Sequence, residues 1–277
     1  MQKNKLITPF LKWVGGKRQI IPTISKLIPK NLPNYYEPFI GGGALLFHLQ
    51  PSKAVINDCN TELITVYEVI RDNVEELIED LKKHKNEESY FYKIRAIDRT
   101  DEYKDLSKIK KASRVIFLNK TCYNGLYRVN SSGEFNSPFG KYKNPKIVNE
   151  ITLRAVSKYL NSNDINIFNQ DFEEVLINIK EGSFVYFDPP YDPISKSSNF
   201  TGYSHNGFNE EEQIRLRNLC DKINHQGISF LLSNSATPFI LELYKDYDIT
   251  FVKANRSINS VANRRGEIDE VLIRNYN

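Results

Sequence analysis

The chain has 277 residues, 40% of them hydrophobic, which is enough for one large core with an appended lobe and excludes a disordered polymer. Its formal net charge of +4 tilts it toward a polyanionic partner. No apolar run approaches the length of a membrane span, and Met1-Gln2-Lys3-Asn4-Lys5-Leu6 leads into Pro9-Phe10-Leu11-Lys12-Trp13 without the apolar centre of a secretory signal, so a soluble cytoplasmic protein with no membrane partner is expected.

In chain order, the first predicted strand, Tyr35–Ile40, opens into Gly41-Gly42-Gly43, and Gly43-Ala44-Leu45-Leu46-Phe47 reads as the start of a helix. Glycines at a strand-to-helix turn let a ligand approach the backbone closely, the logic of nucleotide sites. A second strand, Lys53–Asn57, ends at Asp58, about as far along as the ribose-binding acid of a dinucleotide site. The same residue suits the N-cap of a helix beginning near Thr61. Helical periodicity follows over Glu62–Arg71 and Val74–Lys83.

Between residues 86 and 146 the alternation breaks. Helical patterns give way to a Gly/Ser/Asn-rich stretch, and a β-hairpin is predicted with its turn near Ser131-Ser132-Gly133. Cations such as Lys110, Arg114, Arg128 and Lys143 interleave here with Tyr123, Tyr127, Phe135 and Phe139, a mixture suited to phosphates and unstacked bases. A helix over Ile151–Asn161 then restores the alternation, followed by a strand over Asn163–Asn169 with Asp171-Phe172 just beyond it.

The next strand, Ser183–Phe187, halts at Asp188-Pro189-Pro190-Tyr191. An apolar run that stops at two prolines is a buried strand delivering a carboxylate and an aromatic ring to its carboxyl end, where open α/β sheets keep their ligands. A helix over Glu210–His225 and strands over Gly227–Ser233, Ile249–Ala254 and Glu270–Asn275 complete the chain, the last two as an antiparallel hairpin at the sheet edge. The fold class is therefore α/β, a mixed, mostly parallel seven-stranded sheet with crossover helices. Residues 1–60 and 147–277 are expected to form the catalytic domain and residues 61–146 an inserted recognition lobe.

A ribose-bearing cofactor is expected at the glycine turn, and the lack of Gly-Lys-Ser/Thr argues against a nucleoside triphosphate. Cys59, Cys122 and Cys220 are too few and too scattered for a zinc cluster, and His48, His84, His205 and His225 lack metal spacing, so no metal is expected.

Four ordered motifs span nearly the whole chain: Phe10-Leu11-Lys12-Trp13-Val14-Gly15-Gly16-Lys17; Glu37-Pro38-Phe39-Ile40-Gly41-Gly42-Gly43; Asn124-Gly125-Leu126-Tyr127-Arg128 with Asn136-Ser137-Pro138-Phe139-Gly140; and Asp188-Pro189-Pro190-Tyr191. Together they resemble the DNA adenine methyltransferase (Dam) family. The resemblance implies a Rossmann-like methyltransferase fold, S-adenosyl-L-methionine as methyl donor, N6 of adenine as acceptor, GATC as target and double-stranded DNA as partner. It places the protein in a bacterial cytoplasm or a phage-infected cell, compatible with a restriction endonuclease system but with no stable protein partner.

Carried over by position, Asp188, Pro189, Pro190 and Tyr191 are the catalytic candidates. The Asp188 carboxylate and the Pro189 carbonyl would each accept one N6 hydrogen and localise the nitrogen lone pair, while Tyr191 would stack on a base rotated out of the duplex. The cofactor candidates are Trp13, Lys17, Phe39, Gly41, Gly43, Asp58, Asp171, Phe172 and Asp188. Bland readings stand beside four of them: the helix N-cap already given for Asp58, a core aromatic for Trp13, a solvated helix start for Lys17 and a helix cap for Asp171.

The DNA-binding candidates are Lys12, Tyr123, Asn124, Leu126, Arg128, Pro138, Lys141 and Tyr142, with Arg128 in the place of a guanine-reading arginine. Two loops join the expectation: Ile194 to Phe208 as a flap over the flipped base, and Arg256 to Glu267, where Asn259-Ser260-Val261 departs from the family's Asn-Gly turn. Methylation of RNA or of a protein glutamine, and a non-catalytic DNA-binding protein, are the competing readings.

Overall fold

The computed structural model describes residues 3–13, 15, 17–193, 208–255 and 267–276. Of the two loops named above, residues 194–208 and 256–267, all but Phe208 and Glu267 lie outside the described residues. The strands are β1 (Tyr35–Glu37), β2 (Lys53–Asn57), β3 (Asp164–Phe168), β4 (Phe184–Phe187), β5 (Ser229–Ser235), β6 (Asp248–Asn255) and β7 (Glu267–Arg274). They form one seven-stranded sheet in the order β3-β2-β1-β4-β5-β7-β6. Pairing is parallel from β3 through β5, and β7 is antiparallel to both of its neighbours.

The mixed, mostly parallel sheet matches the expectation. The terminal hairpin is refined, because β6 takes the edge and β7 returns inside it. β1 stops at Glu37 rather than Ile40, since Pro38 has no N–H with which to continue the ladder.

The helices are α1 (Ile21–Leu27), α2 (Ala44–Leu49), α3 (Thr61–Asp72), α4 (Val74–Leu81), α5 (Glu88–Ala96), α6 (Glu102–Asp105), α7 (Lys108–Thr121), α8 (Glu150–Ser162), α9 (Glu210–His225) and α10 (Pro238–Leu243). Among the described residues no helix is long and apolar enough to cross a membrane. Side-chain oxygens of Asn60, Ser107, Asn209 and Thr237 cap α3, α7, α9 and α10, each accepting a backbone N–H of the first turn.

Strand alternation sorts the core into two layers. Phe184 and Tyr186 of β4 face one side with Leu231 and Leu272, whereas Val185 and Phe187 face the other with Phe230, Leu232, Val271 and Ile273. The first layer is continuous with buried residues of α2, α3, α4, α7 and α8, and it extends to Tyr127 and Phe135. The second is covered by α9 and α10 through Leu216, Cys220 and Ile240.

Two antiparallel bridges, Cys122↔Phe139 and Val129↔Phe135, draw residues 122–139 into a ribbon. Its turn closes where the Asn130 side chain accepts the N–H groups of Ser132 and Glu134 and Gly133 takes φ +79°, at the predicted place.

From β1 the chain builds β2 and β3 to one side and β4 and β5 to the other, so neighbouring β1 and β4 flank the switch point of the sheet. A crevice opens at the carboxyl ends of such strands. Glu37 ends β1 there and Asp188 follows β4.

Candidate active site

The glycine turn after β1 is held by Asp58. One of its carboxylate oxygens accepts the Gly41 N–H at 3.0 Å and the other accepts the Asn60 N–H at 3.0 Å. Capping of α3 falls to Asn60, which accepts the Leu63 N–H, so Asp58 is not the helix cap. Burial pushes its carboxyl up to about 6 against the pull of those two N–H donors. Gly43 sits at φ +67°, where a Cβ would lie 2.6 Å from the Tyr67 hydroxyl, and a Cβ on Gly41 would lie 2.9 Å from the Trp13 ring. No side chain fits either position.

Trp13 is half-buried, with its indole laid over the glycine turn and stacked on Tyr127 at 5.0 Å between centroids. It packs against the core, in keeping with the core reading, and its side chain also lies on Gly41 and Gly42 of the turn. Buried Asn57 stitches the crevice floor: its amide donates to the carbonyls of Pro38 and Gln170 and its oxygen accepts the Gln170 N–H. This joins the ends of β1, β2 and β3.

Lys17 is 5% exposed, which rules out a solvated helix start. Its ammonium donates to the Gly15 carbonyl at 2.7 Å, pairs with the Asp188 carboxylate at 2.7 Å and lies 4.4 Å from the centroid of the Tyr191 ring. Burial raises the Asp188 carboxyl to about 6, the Lys17 charge pulls it down, and the charge of Glu270 pushes it back up. Glu37, nearly fully buried, accepts the Tyr35 hydroxyl at 2.9 Å. Its carboxyl stands well above the usual carboxylate range because of burial, with Asp188 adding to the rise.

Prolines make the Asp188–Tyr191 turn stiff, and polar groups buried behind it fix its path. Gln213 of α9 donates to the Pro190 carbonyl and accepts from Asn234, whose oxygen in turn accepts the Asp192 N–H. Thr237 and Ser235 donate to the Asp192 carboxylate and carbonyl, both at 2.6 Å. The Tyr191 hydroxyl donates to Glu270 at 3.0 Å. None of Gln213, Asn234, Asp192 and Glu270 was singled out from the sequence. The available signal was a fully buried polar residue at an apolar position of its element, as for Gln213 in α9 and Asn234 in β5.

Asp171 and Phe172 follow β3 toward the same end of the sheet. The Asp171 carboxylate accepts the Glu173 N–H in a turn and pairs with Arg215 of α9, whereas the 3-10 turn at Glu174–Leu176 has Glu173 at its N-cap and no side-chain cap, so Asp171 does not cap it. Phe172 is buried between Phe39, at 5.3 Å, and the Arg215 guanidinium, at 4.2 Å. A groove of about 620 Å³ lies beyond this pair, lined by Asp171, Glu173, Ile177, Arg215 and Lys222, away from the Asp188 turn.

The remaining candidates gather on the ribbon, just beyond it at Lys141 and Tyr142, and at Lys12 before Trp13. Buried Asn119 of α7 bonds the Lys12 N–H and carbonyl and donates to the Gly125 carbonyl. The Lys12 side chain lies against Gly125, with its ammonium 5.5 Å from the Tyr142 ring centroid. Tyr123, Asn124, Pro138 and Lys141 are exposed, whereas Leu126 is half-buried. The Arg128 guanidinium is held by the Asn136 side chain and carbonyl across the ribbon.

Helical elements brace this surface from behind. Arg114, almost fully buried, pairs with Asp98 at 2.7 Å, and Asp98 accepts the Phe135 N–H. Arg95 and Arg99 donate to the carbonyls of Ser137 and Phe135.

Similarity to known proteins agrees with this geometry. The sequence profile described as D12 class N6 adenine-specific DNA methyltransferase matches residues 13–258. A type II methyltransferase of Lactococcus lactis subsp. cremoris is 46% identical over 279 residues, covering 100% of this chain and 98% of its own length. Another type II methyltransferase, from Methanocaldococcus jannaschii, is 43% identical over 290 residues, at 98% and 99% coverage. The DNA adenine methylase of Escherichia coli is 31% identical over 272 residues, at 98% and 95% coverage. With its mostly parallel sheet, its glycine turn and its Asp-Pro-Pro-Tyr turn at the switch point, the chain belongs to the D12 class of N6 adenine-specific DNA methyltransferases.

Proposed function

We propose that the chain transfers a methyl group from S-adenosyl-L-methionine to N6 of adenine within GATC, on a base rotated out of double-stranded DNA. Family membership sets aside the RNA, glutamine and non-catalytic alternatives. The observation that carries the reading is the joining of Lys17, Asp188 and Tyr191 beside the glycine turn.

The residues of the crevice fit an adenosyl cofactor with an amino-acid tail. Gly41 and Gly43 keep the turn clear of side chains, Asp58 offers carboxylate lone pairs to ribose hydroxyls, and Phe39 with Phe172 offers apolar ring surface. Trp13 closes over the turn, and the Lys17 ammonium suits a carboxylate. When bound, S-adenosyl-L-methionine supplies an electrophilic methyl group on a sulfonium.

The adenine amine is a weak nucleophile because its lone pair is shared with the ring. An ionised Asp188 accepts one N6 hydrogen and the Pro189 carbonyl accepts the other, which holds the lone pair on nitrogen and directs it outward. Tyr191 supports the base from one face, while Pro190, its carbonyl tied to Gln213, stiffens the turn that carries both groups. Base rotation follows from the same need, since neither acceptor can reach an amine paired inside the duplex.

For the target, Arg128 is held in a fixed plane by Asn136, as bidentate reading of guanine O6 and N7 requires. Lys12, Tyr123, Asn124, Leu126 and Pro138 complete the base-facing set, and Lys141 and Tyr142 lie near the backbone. The names of the two relatives at 46% and 43% identity support a place in a type II restriction-modification system, which a neighbouring endonuclease gene would corroborate.

The test is incubation of the purified protein with methyl-labelled S-adenosyl-L-methionine and duplexes that contain or lack GATC. Label in the GATC duplex alone is expected, and Asp188→Ala should abolish it while sparing DNA binding. Equal labelling of all adenine-containing duplexes would remove the target assignment, and turnover by Asp188→Ala would remove the carboxylate from the chemistry.

A further inference from the structure

The groups that brace the Asp188–Tyr191 turn divide by what they hold. Gln213, Asn234, Ser235 and Thr237 act on the Pro190 carbonyl and on Asp192, so they fix the backbone and leave the Tyr191 ring unaddressed. The tip of the ring is held from another strand. Glu270 lies in β7 opposite Ser235 of β5 and Val252 of β6, locked in the ladder on both sides, and its carboxylate accepts the Tyr191 hydroxyl at 3.0 Å. A phenol ring without that bond could rotate about its side-chain torsions.

The contact belongs to a chain of alternating charge. Glu270 holds the hydroxyl of Tyr191, the Lys17 ammonium lies against that ring, and Lys17 pairs with Asp188. A phenol donating to a carboxylate presents a more electron-rich face, which favours a cation above it. Glu270 thus touches the two properties that a stacking wall needs, the plane of the ring and the charge on its face.

We propose that Glu270 is a positioning residue for methyl transfer, acting through the Tyr191 hydroxyl to set the ring against which the extruded adenine stacks. The inference rests on the reading of Tyr191 as the support of that base. It deepens the reading by assigning a carboxylate from β7, one strand beyond β5, outside the contiguous catalytic motif.

A double-mutant cycle tests it, with single-turnover methylation of a GATC duplex as the readout. Glu270→Gln, of the same shape, and Tyr191→Phe, which removes the hydroxyl from the other side, should each slow the step by about tenfold, the size expected for one hydrogen bond to a charged group. Affinities for DNA and cofactor should stay within about twofold of the parent, a change too small to matter on the free-energy scale. The combined variant should be no slower than the slower single one. A duplex carrying 2-aminopurine at the target adenine should show altered fluorescence in both single variants, reporting the changed stacking.

Parent-like rates in both single variants, or losses that multiply in the combined one, would overturn the role of Glu270. Tyr191→Ala separates this from the parent reading: if it keeps turnover, the ring is not the base support. If it loses turnover while the cycle shows no coupling, only the role of Glu270 falls.

Discussion

In the proposed role Asp188 acts as an anion, a stronger acceptor for an amine hydrogen than the neutral acid, yet burial lifts its carboxyl to about 6, and the neighbouring Lys17 limits the rise. Methyl transfer should therefore be full above that pH and fall as Asp188 takes up a proton below it. Removing the cation with Lys17→Met should move the acid limb of the single-turnover pH profile upward at saturating cofactor, and an unmoved limb would detach Lys17 from the ionisation of Asp188. For stability the sign is opposite to that of an ordinary paired carboxylate. The native state holds protons on Asp58 and Asp188 up to about 6, above the ordinary value of 3.8, so both groups oppose folding increasingly as pH rises through that window. At this scale the sequence revealed what was contiguous: Asp188 to Tyr191 announce themselves as a motif after an apolar strand. The pairing of Lys17 with Asp188 and the roles of Gln213 and Glu270 were hidden because these contacts join distant parts of the chain, and local pattern carries no information about which buried polar group meets which.

Short elements carry the site by being unable to take other shapes. Gly43 caps α2 in the left-handed region with no room for a Cβ, so Gly43→Ala should lower stability on the order of 2 kcal/mol and weaken cofactor binding, measured by thermal unfolding and by titration. The ribbon of residues 122–139 has only two bridges of its own, and its position depends on the buried Arg114–Asp98 pair and on the Phe135 N–H that Asp98 accepts. Asp98→Ala leaves a buried guanidinium partly unpaired and should cost about 3 kcal/mol. It should also loosen discrimination against altered target sites more than it slows transfer on the best site, which competition between duplexes would reveal. Element types were legible from periodicity, since α9 spans the predicted Glu210–His225 and β2 the predicted Lys53–Asn57. Boundaries were less so: Asn60 rather than Asp58 caps α3, a choice decided by which side chain reaches the Leu63 N–H and which is drawn to the glycine turn.

For the molecule as a whole, alternation of strands and helices disclosed a mostly parallel sheet, while strand order depends on layer packing that no single segment encodes. The return of β7 between β5 and β6 is the clearest case. The net charge of +4 is small, so affinity for DNA should come from cations concentrated near the ribbon rather than from overall charge. Lys141→Ala should weaken all duplexes alike and reduce the slope of log affinity against log salt by about 1. Arg128→Ala should instead cost about 1–3 kcal/mol and relax discrimination at one guanine position. Binding isotherms at several salt concentrations distinguish the two.

Trp13 lies on the glycine turn with one part of its ring and stacks on Tyr127 with its face, while Lys12 beside it is pinned through Asn119 to Gly125. On the proposed assignment, a cofactor resting on this indole would be joined to the ribbon through Tyr127. With the two sites as proposed, whatever factor the cofactor contributed to DNA affinity, DNA would return to cofactor affinity, because linked sites share one coupling free energy. Trp13→Ala should shrink that reciprocal factor toward one in both directions, even where each ligand still binds by itself.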